Sequence, residues 1–379
     1  MLKGFFKNLK PNTYLKNIGV LIFGSVFAQI ITICTAPALT RLYTPEALGG
    51  FGIFMALVSA ILPGIGGRYE IAAVVSSTKV MSRNFYWIAQ WFSLILCVLL
   101  FFIIFFTNER IMLLFKKENS SFLLWLIPLS LFLGGSNSNL RAWANSIKKY
   151  APINISSVFQ NGIFSITAIS FGFFYSNSQS LILSNLVGQA AAYFYLMYLF
   201  SHLLQKKQWT ISKEKIFIAW QSRDYPLYNA TTNILNGIMT CLPTFFLARY
   251  FNAEIVGFYT LLIRVGTAPF SFVSEAISRV NHKHISEIIN RKENPLPYFY
   301  KITTALCAFV LFPTILIINI GPSSFAWVFG SSWKDAGIFL AILMPSIAVQ
   351  FVVSTLSLSF TSAGHLRLQA FWQVTTFLS

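Results

Sequence analysis

The sequence predicts an all-α polytopic membrane protein built from two parallel six-helix repeats, of which the second is incomplete. Composition is the first reason: 55% of the 379 residues are hydrophobic and 10% are charged, against about 25% charged in an ordinary soluble domain. The mean hydropathy is +0.64. The second reason is a series of long apolar runs, and the third is a segment that occurs twice.

The apolar runs have the length of transmembrane helices. A bilayer core of about 30 Å needs roughly 20 consecutive apolar residues in helical form, and polar or charged loops bound each run. We expect ten full spans near residues 17–39, 48–67, 85–106, 121–141, 152–175, 181–204, 225–248, 255–277, 299–320 and 337–361.

An eleventh apolar segment begins at Leu368 and comprises the last 12 residues of the sequence, 368–379. At 1.5 Å per residue this is about 18 Å of helix, which is too short to cross the hydrocarbon core. We therefore expect a partial eleventh helix and an incomplete second lobe.

Basic residues are distributed unevenly between the two ends of the spans. When the loops are alternated from the N-terminus, most of the 28 Lys and Arg fall on the N-terminal side, which the positive-inside rule assigns to the cytoplasm. Topology and anionic headgroups thus explain the net charge of +17 better than nucleic acid does. The outer side receives Arg41, Arg110, Lys116, Lys117, Arg249 and Lys334.

The segment TRLYTPEALGGFG at residues 40–52 returns as ARYFNAEIVGFYT at residues 248–260. Each copy joins the first and second helices of its set on the outer side. Six helices separate the copies, so both insert in the same direction, as in parallel repeats about an axis along the membrane normal. Two such lobes enclose a central cavity, which is the architecture of alternating-access transporters. A shift of 208 positions aligns Arg41 with Arg249, Glu46 with Glu254 and Gly49 with Gly257.

The repeat sets the expected domain boundaries. We predict an N-terminal six-helix lobe at residues 1–204, a cytoplasmic linker at 205–224 and an incomplete C-terminal lobe at 225–379. The linker alternates apolar residues with lysines between Trp209 and Trp220. It is either an amphipathic segment on the membrane surface or a plain basic linker.

Motifs for catalysis and cofactor binding are not recognisable. No glycine-rich phosphate loop precedes Lys and Ser or Thr, so ATP hydrolysis is not expected. The HKH stretch at 282–284 is more typical of a solvated basic loop than of a metal site. The 4 cysteines fall within predicted spans and indicate neither disulfides nor metal ligation. We predict no enzyme, no metal, no cofactor and no nucleic-acid partner.

Polar residues inside predicted spans are costly in hydrocarbon and mark a cavity or a helix partner. Arg264 is the strongest case, because it lies roughly 13 Å into its span, close to the bilayer middle. Glu275 shares its helical face but lies about 16 Å along the axis, too far for a direct pair. We expect Arg264 to meet an anionic group; the alternative is a structural arginine satisfied by helix carbonyls.

Two stripes of polar side chains are candidates for the cavity wall. Asn229, Asn233 and Asn236 share one face of the seventh helix. The first helix carries the corresponding stripe, because position 25 aligns with position 233. Interhelical hydrogen bonds are the alternative role for both stripes. The residues of the first-helix stripe are Ser25, Gln29 and Thr32.

Basic residues at the ends of the spans form a second group of candidates. Arg41 and Arg249 lie at the outer interface, where they either guide an anionic ligand or snorkel to lipid phosphates. Arg68 and Glu70 lie at the cytoplasmic end of the second helix. Three roles are open for these two residues: they receive the ligand, they lock a closed gate, or they form a surface ion pair.

The stretches RLYTPEALGGFG, RYFNAEIVGFYTLLIR, VFGSSWKDAG and TSAGHLRLQ resemble the Wzx-type oligosaccharide flippases. These are polysaccharide biosynthesis proteins of the multidrug/oligosaccharidyl-lipid/polysaccharide exporter superfamily. The resemblance implies a MATE-like bundle that moves undecaprenyl-diphosphate-linked repeat units, such as O-antigen units, from the cytoplasmic to the outer leaflet of the bacterial inner membrane. It also implies a cationic cavity for the diphosphate, a role for Arg264 and then for Arg41, Arg68 and Arg249.

The resemblance further implies membrane lipids, a polysaccharide polymerase and glycosyltransferases as partners. Two other functions stay open. A MATE-type cation-coupled drug antiporter would need a membrane-embedded carboxylate, which the predicted N-terminal spans lack at mid-depth. A non-transporting membrane scaffold for polysaccharide assembly would not depend on Arg264.

Overall fold

The structure is a computed structural model that describes residues 13–76, 78–115, 121–204, 210, 212–270 and 294–362, with scattered positions between 273 and 288. The predicted eleventh segment and Glu275 lie outside the described residues. The described part of the chain is almost entirely helical, and it divides into two compact units, residues 1–257 and 258–379. This confirms the predicted all-α fold class.

Helices in the first unit follow the apolar runs, because a backbone in hydrocarbon must satisfy its own hydrogen bonds. A 3-10 turn, Leu62–Gly64, follows α2, and a π-helical turn, Tyr225–Ala230, precedes α9. The helices are α1 Thr13–Leu42, α2 Pro45–Ile61, α3 Tyr69–Val75, α4 Lys79–Phe115, α5 Ser121–Ser146, α6 Tyr150–Gly172, α7 Ser178–Phe200, α8 Lys213–Gln221, α9 Thr231–Tyr250 and α10 Ala253–Leu261.

The two copies of the repeated segment begin their helices in the same way. At the start of α2, the Thr44 hydroxyl accepts the N–H of Ala47 at 3.3 Å. At the start of α10, the Asn252 side chain accepts the N–H of Ile255 at 3.0 Å. Such caps satisfy backbone donors that the first helical turn leaves unpaired. The two capping residues are 208 positions apart, so the repeat extends to hydrogen-bond geometry.

Packing in the first unit pairs α1 with α6, α6 with α7, and α5 with both α4 and α7. Polar side chains also cross these interfaces. Gln90 on α4 donates to Ser136 on α5 at 2.6 Å, and Asn137 on α5 donates to the carbonyl of Gln189 on α7 at 2.8 Å. Hydrogen bonds of this kind join helices where the apolar surroundings offer no competing water.

The second unit contains a π-helical turn, Leu262–Thr267, and two long helices, α11 Leu296–Phe329 and α12 Lys334–Ser362. These two helices pack along each other. Gly337 on α12 lies against the backbone of Gly321 on α11, since small residues let membrane helices approach closely.

The lipid-facing surface is consistent with a multi-pass membrane protein. Five of the described helices are both long enough and apolar enough to cross a bilayer. Phe105, Phe312 and Trp327 expose more than half of their surface, as expected where acyl chains rather than water surround a helix. The predicted amphipathic segment also forms a helix, α8, with Ile216 and Trp220 exposed.

Candidate functional site

The chain turns sharply between α2 and α3, and this turn positions Arg68. Gly67 and Arg68 both have left-handed backbones, with φ of 61° and 60°. Glycine adopts this conformation at little cost, whereas arginine does so rarely. Strained residues of this kind tend to lie where a side chain must point in one direction.

The Arg68 guanidinium is held by three groups. Its Nε donates to Asn229 Oδ1 at 3.0 Å, and its Nη1 donates to the Pro63 carbonyl at 3.4 Å. The same Nη1 lies 3.6 Å from Glu70 Oε1. Arg68 therefore connects the end of α2 with the start of α9 through one hydrogen bond.

Glu70 is the carboxylate of this site, and it is only 7% exposed. Its Oε2 makes no hydrogen bond to the described residues. Burial raises the pKa of Glu70 above its usual value, against the opposing effects of a backbone hydrogen bond and of the Arg68 charge. The carboxylate is thus weakly compensated, with one long ion pair.

The start of α9 is widened into a π-helical turn, Tyr225–Ala230. Pro226 lies at the start of this turn, where a helix leaves the backbone N–H unpaired and proline is therefore tolerated. Asn229 Oδ1 accepts from Asn233 Nδ2 at 2.9 Å as well as from Arg68. Wide turns of this type are frequent at functional sites, because they expose groups that a regular α-helix would bury.

A cavity of about 410 Å³ lies along this face of the π-helical turn and α9. It offers a carboxylate, two phenol groups, a hydroxyl and two amides, so it has both hydrogen-bond donors and acceptors. Such a set suits a polar, hydroxyl-rich ligand. The lining residues are Asp224, Tyr225, Tyr228, Asn229, Thr232 and Asn233. We call this the Arg68 cavity, since Arg68 is bonded to one of its walls.

Three of the residues that the sequence singled out meet here: Arg68, Asn229 and Asn233. Asn236 lies farther along α9 and is exposed, outside the cavity lining. Gln29 is half-buried on α1 and is also outside that lining. The role of each of these residues stays a prediction.

The remaining predicted residues occupy other places. Arg41 and Arg249 lie in the last turns of α1 and α9 and are exposed. Arg264 is half-buried in the second unit, in the π-helical turn Leu262–Thr267. Glu275 is outside the described residues.

Sequence reasoning missed four residues of the Arg68 cavity: Asp224, Tyr225, Tyr228 and Thr232. They were assigned to the linker or to the first turns of the seventh helix without a role. The signal was available, because positions 224, 228 and 232 extend the Asn229–Asn233 stripe at helical spacing. The π-helical widening, which opens the cavity between them, has no comparable sequence signature.

Other polar side chains on α5 and α7 have partners within the protein. Arg141 donates to Ser156 at 3.1 Å and to Gln160 at 2.8 Å. Asn185 accepts from Gln189 at 2.7 Å. The Arg141 bonds join α5 to α6, whereas the bond between Gln189 and Asn185 lies within α7.

Comparison with known proteins adds a family and a fold. A family model described as "Polysaccharide biosynthesis protein" matches residues 38–337. An uncharacterized membrane protein in the cps region of Klebsiella pneumoniae is 32% identical over 110 residues. That alignment covers 29% of this chain and 22% of the Klebsiella protein, so the chain matches less than a quarter of that relative.

Two solved structures share the fold. The lipid II flippase MurJ in an inward closed conformation has a TM-score of 0.69 at 15% identity, covering 90% of this chain and 75% of MurJ. An inward-facing multidrug resistance MATE family transporter of the MOP superfamily has a TM-score of 0.67 at 15% identity, covering 89% and 81%. The predicted MATE-like resemblance is thereby confirmed.

Proposed function

The chain belongs to the polysaccharide biosynthesis protein family, and from this premise we propose that it is a flippase for undecaprenyl-diphosphate-linked oligosaccharides. In this proposal it moves surface-polysaccharide repeat units, such as O-antigen units, from the cytoplasmic to the outer leaflet of the bacterial inner membrane. The N-terminus is cytoplasmic, and transport proceeds by alternating access.

The observation that carries the proposal is the hydrogen bond from Arg68 to Asn229 beside the Arg68 cavity. A guanidinium presents a planar set of donors that matches phosphate oxygens. The amides, phenols and carboxylate next to it match sugar hydroxyl groups. The two halves of a sugar diphosphate thus find complementary groups within one site.

Glu70 gives the site a means of releasing its ligand. The Arg68–Glu70 ion pair is long, at 3.6 Å, and one carboxylate oxygen has no hydrogen-bond partner among the described residues. An arriving diphosphate is a better partner for Arg68, because it is more highly charged and accepts two parallel hydrogen bonds. When the ligand leaves, Glu70 compensates Arg68 again.

The physical problem that the protein solves is the transfer of a polar head through hydrocarbon. Each hydroxyl group moved into an apolar medium without a hydrogen bond costs several kcal/mol. A polar cavity that travels with the head removes most of this cost. The polyprenyl tail needs no such protection and stays in lipid.

The other predicted residues enter the proposal as parts of the path. Arg264 would contact the diphosphate deeper in the membrane, with Gln29, Asn236 and Glu275 along the route. Arg41 and Arg249 would act at the outer interface. A polymerase and glycosyltransferases would consume and supply the substrate, and the protein itself would catalyse no covalent step.

The test is the leaflet distribution of the lipid-linked sugar in cells. Deletion of the gene should leave the lipid-linked oligosaccharide on the cytoplasmic face, where an impermeant glycan-modifying enzyme cannot reach it in intact spheroplasts. Re-expression of the wild-type chain or of Lys149→Ala, a change at an exposed loop residue, should restore access. Arg68→Ala should not. Normal outer-leaflet sugar in the deletion strain would exclude the flippase.

A cation-coupled drug antiporter is the second candidate, because Glu70 is a buried carboxylate, although it lies at the predicted cytoplasmic end of its span and not at mid-depth. In that case the deletion should alter sensitivity to cationic drugs and leave the lipid-linked sugars unchanged. A scaffold without transport would tolerate both Arg68→Ala and Arg264→Ala.

A further inference from the structure

One face of the first half of α4 carries a basic residue, two tryptophans and a leucine in sequence, and we call these four side chains the column. Arg83, Trp87, Trp91 and Leu94 follow one another at spacings of three and four residues, so they share a face of the helix. At 1.5 Å per residue the column extends about 16 Å along the axis. The cation Arg83 therefore lies at one end of the column, the indole N–H donor of Trp87 lies next to it, and the largely apolar Trp91 and Leu94 follow.

Trp87 is the unusual member of this column. It is 6% exposed, and its indole Nε1 makes no hydrogen bond to any residue that the structure describes. A buried tryptophan N–H normally finds an acceptor. Trp87 lines a cavity of about 360 Å³ between α4, α5 and α7.

The Trp87 indole is a donor that this cavity offers to a ligand, beside the hydroxyl groups of Tyr193 and Ser201. Gln90 also lines it, but its Nε2 donates to Ser136 at 2.6 Å and its Oε1 accepts from Asn139 at 3.4 Å. Most of the remaining wall is apolar, with Leu94, Phe132 and Met197. The cavity suits an apolar chain that carries one hydrogen-bond acceptor.

A second apolar cavity, of about 200 Å³, lies on the other side of Trp91, between α3, α4 and α8. Ile88 and Phe92 form part of its wall, and Lys215 and Ile216 close it toward α8. Trp91 lines both cavities. Two grooves therefore flank one aromatic ring.

Two cations accompany these cavities: Lys215 lines the second one, and Arg83 precedes Trp87 by one helical turn on α4. Arg83 donates through Nη1 to the Leu203 carbonyl at 3.3 Å, while its Nε makes no hydrogen bond within the described chain. Lys215 donates to the Thr210 carbonyl at 2.9 Å. Burial, with a smaller contribution from Arg83, lowers the pKa of Lys215, and Glu214 partly opposes this.

We propose that this column binds an anionic diacyl phospholipid from the leaflet that faces the N-terminal end of α4. The phosphate lies at Arg83 and Lys215, an ester carbonyl accepts the Trp87 N–H, and the acyl chains occupy the grooves on either side of Trp91. The order of groups along α4 is the order in which a phospholipid presents phosphate, ester and hydrocarbon.

The neighbouring helix α8 supports a lipid as the occupant. Ile216, Phe217 and Trp220 are exposed at 57%, 65% and 68%, and the Arg223 guanidinium lies 4.9 Å from the Trp220 ring centroid. An exposed aromatic and aliphatic face beside cations is typical of helices that lie in the interfacial layer of a membrane. An interfacial position of α8 would place the proposed phosphate site beside lipid headgroups.

The test is lipid binding to the purified full-length protein, measured by native mass spectrometry with phosphatidylglycerol and phosphatidylcholine of matched chains. The wild type should prefer phosphatidylglycerol. Arg83→Gln should remove most of this preference, with an affinity loss on the order of 10-fold for phosphatidylglycerol. Trp87→Phe keeps the ring and removes the N–H, so it should weaken both lipids alike. Lys149→Gln should change neither, and unchanged melting temperatures show that each variant folds.

Equal binding of the two lipids by the wild type would overturn the proposal, as would an unchanged preference in Arg83→Gln. A third result would also overturn the proposal, namely that undecaprenyl phosphate displaces phosphatidylglycerol at this site. This displacement would have to persist in Arg68→Ala, which changes the Arg68 cavity, and to disappear in Trp87→Phe, which changes the column. That result would assign the grooves to a polyprenyl chain. None of these outcomes depends on whether the chain is a flippase.

Discussion

Gly49 and Gly257 pack against each other's helices in a reciprocal contact. A Cβ at Gly49 would collide with the carbonyl of Ala253, and a Cβ at Gly257 would collide with the carbonyl of Pro45. The two contacts are related by the 208-residue shift that aligns the repeated segments, because Gly49 aligns with Gly257 and Pro45 aligns with Ala253. The repeated sequence therefore encodes two surfaces that fit each other, which is the simplest reason for the chain to contain it twice.

This glycine crossing and the Arg68 cavity lie at opposite ends of α2. The crossing is at the start of the helix, near Pro45, and Arg68 follows its end. Helix α9 packs along α2 between them, where Gly237 lies against the Ala60 backbone. Helices α2 and α10 are thus in backbone contact at the crossing, and α2 and α9 are in backbone contact at Ala60, near the end of α2 that leads to Arg68.

The first prediction concerns the crossing. Gly49→Ala places a methyl group against a backbone carbonyl, which cannot rotate away as a side chain can. Overpacking of this kind costs about 1–3 kcal/mol, so we expect a lower melting temperature and less transport. Gly162→Ala is the matched control, because nothing lies within 4 Å of the added Cβ. Equal stability of the two variants would contradict the close approach.

The second prediction separates charge from shape at Arg68. Arg68→Lys keeps the positive charge but loses the Nε–H that donates to Asn229 and the planar arrangement of donors. A hydrogen bond to a charged group contributes about 1.5–3 kcal/mol. We therefore expect transport in reconstituted vesicles to fall by about 10- to 100-fold. Activity equal to the wild type would show that charge alone suffices.

The third prediction concerns pH and Glu70. The folded protein holds the Glu70 proton more tightly than the unfolded chain does, because burial raises this pKa. The stabilisation from the bound proton is complete below the ordinary value of 4.5 and is lost as the pH rises through the raised value. At neutral pH Glu70→Gln should therefore be more stable than the wild type, and the difference should shrink on acidification.

Thermal unfolding of both proteins across the pH range measures this difference. Asp335→Asn is a suitable control, since Asp335 lies in the first turn of α12 and is exposed. If Glu70→Gln is less stable than the wild type at neutral pH, the ion pair with Arg68 outweighs the burial of the carboxylate. The pH dependence should then have the opposite sign.

The extent to which the sequence predicts this molecule differs between fold and site. The spans were predictable because hydrocarbon permits only internally bonded helices, and the apolar runs mark their length. The sequence aligns the two glycines of the crossing with each other, but it does not predict that each one packs against the helix of the other. Helical period alone groups Asn229 with Asn233, and both line the Arg68 cavity, while their role stays a prediction.

The meeting of Arg68 with Asn229 was beyond reach, because the two residues are 161 positions apart and come together only through packing of α2 on α9. The π-helical turn was also hidden, since a single proline is compatible with several backbone geometries. Arg264, which the sequence ranked first, stays a prediction.

The fourth prediction divides the sugar end of the Arg68 cavity from its phosphate end. Tyr228 is 72% exposed on the cavity wall, and its ring and hydroxyl suit a sugar face. Tyr228→Ala should weaken binding of a polyprenyl-diphosphate-linked sugar by roughly 10-fold, the scale of one lost aromatic contact and hydrogen bond. It should leave binding of polyprenyl diphosphate without sugar unchanged, whereas Arg68→Ala should weaken both.

Titration of the purified protein with the two ligands measures this selectivity. Phe246→Ala is the matched control, because Phe246 is an exposed aromatic residue on α9 that lies outside the cavity lining. Because the phosphate is common to the two ligands, only a residue that touches the sugar can change their ratio. An equal effect of Tyr228→Ala on both ligands would show that Tyr228 does not contact the sugar. The Arg68 cavity would then bind only the diphosphate part of the ligand.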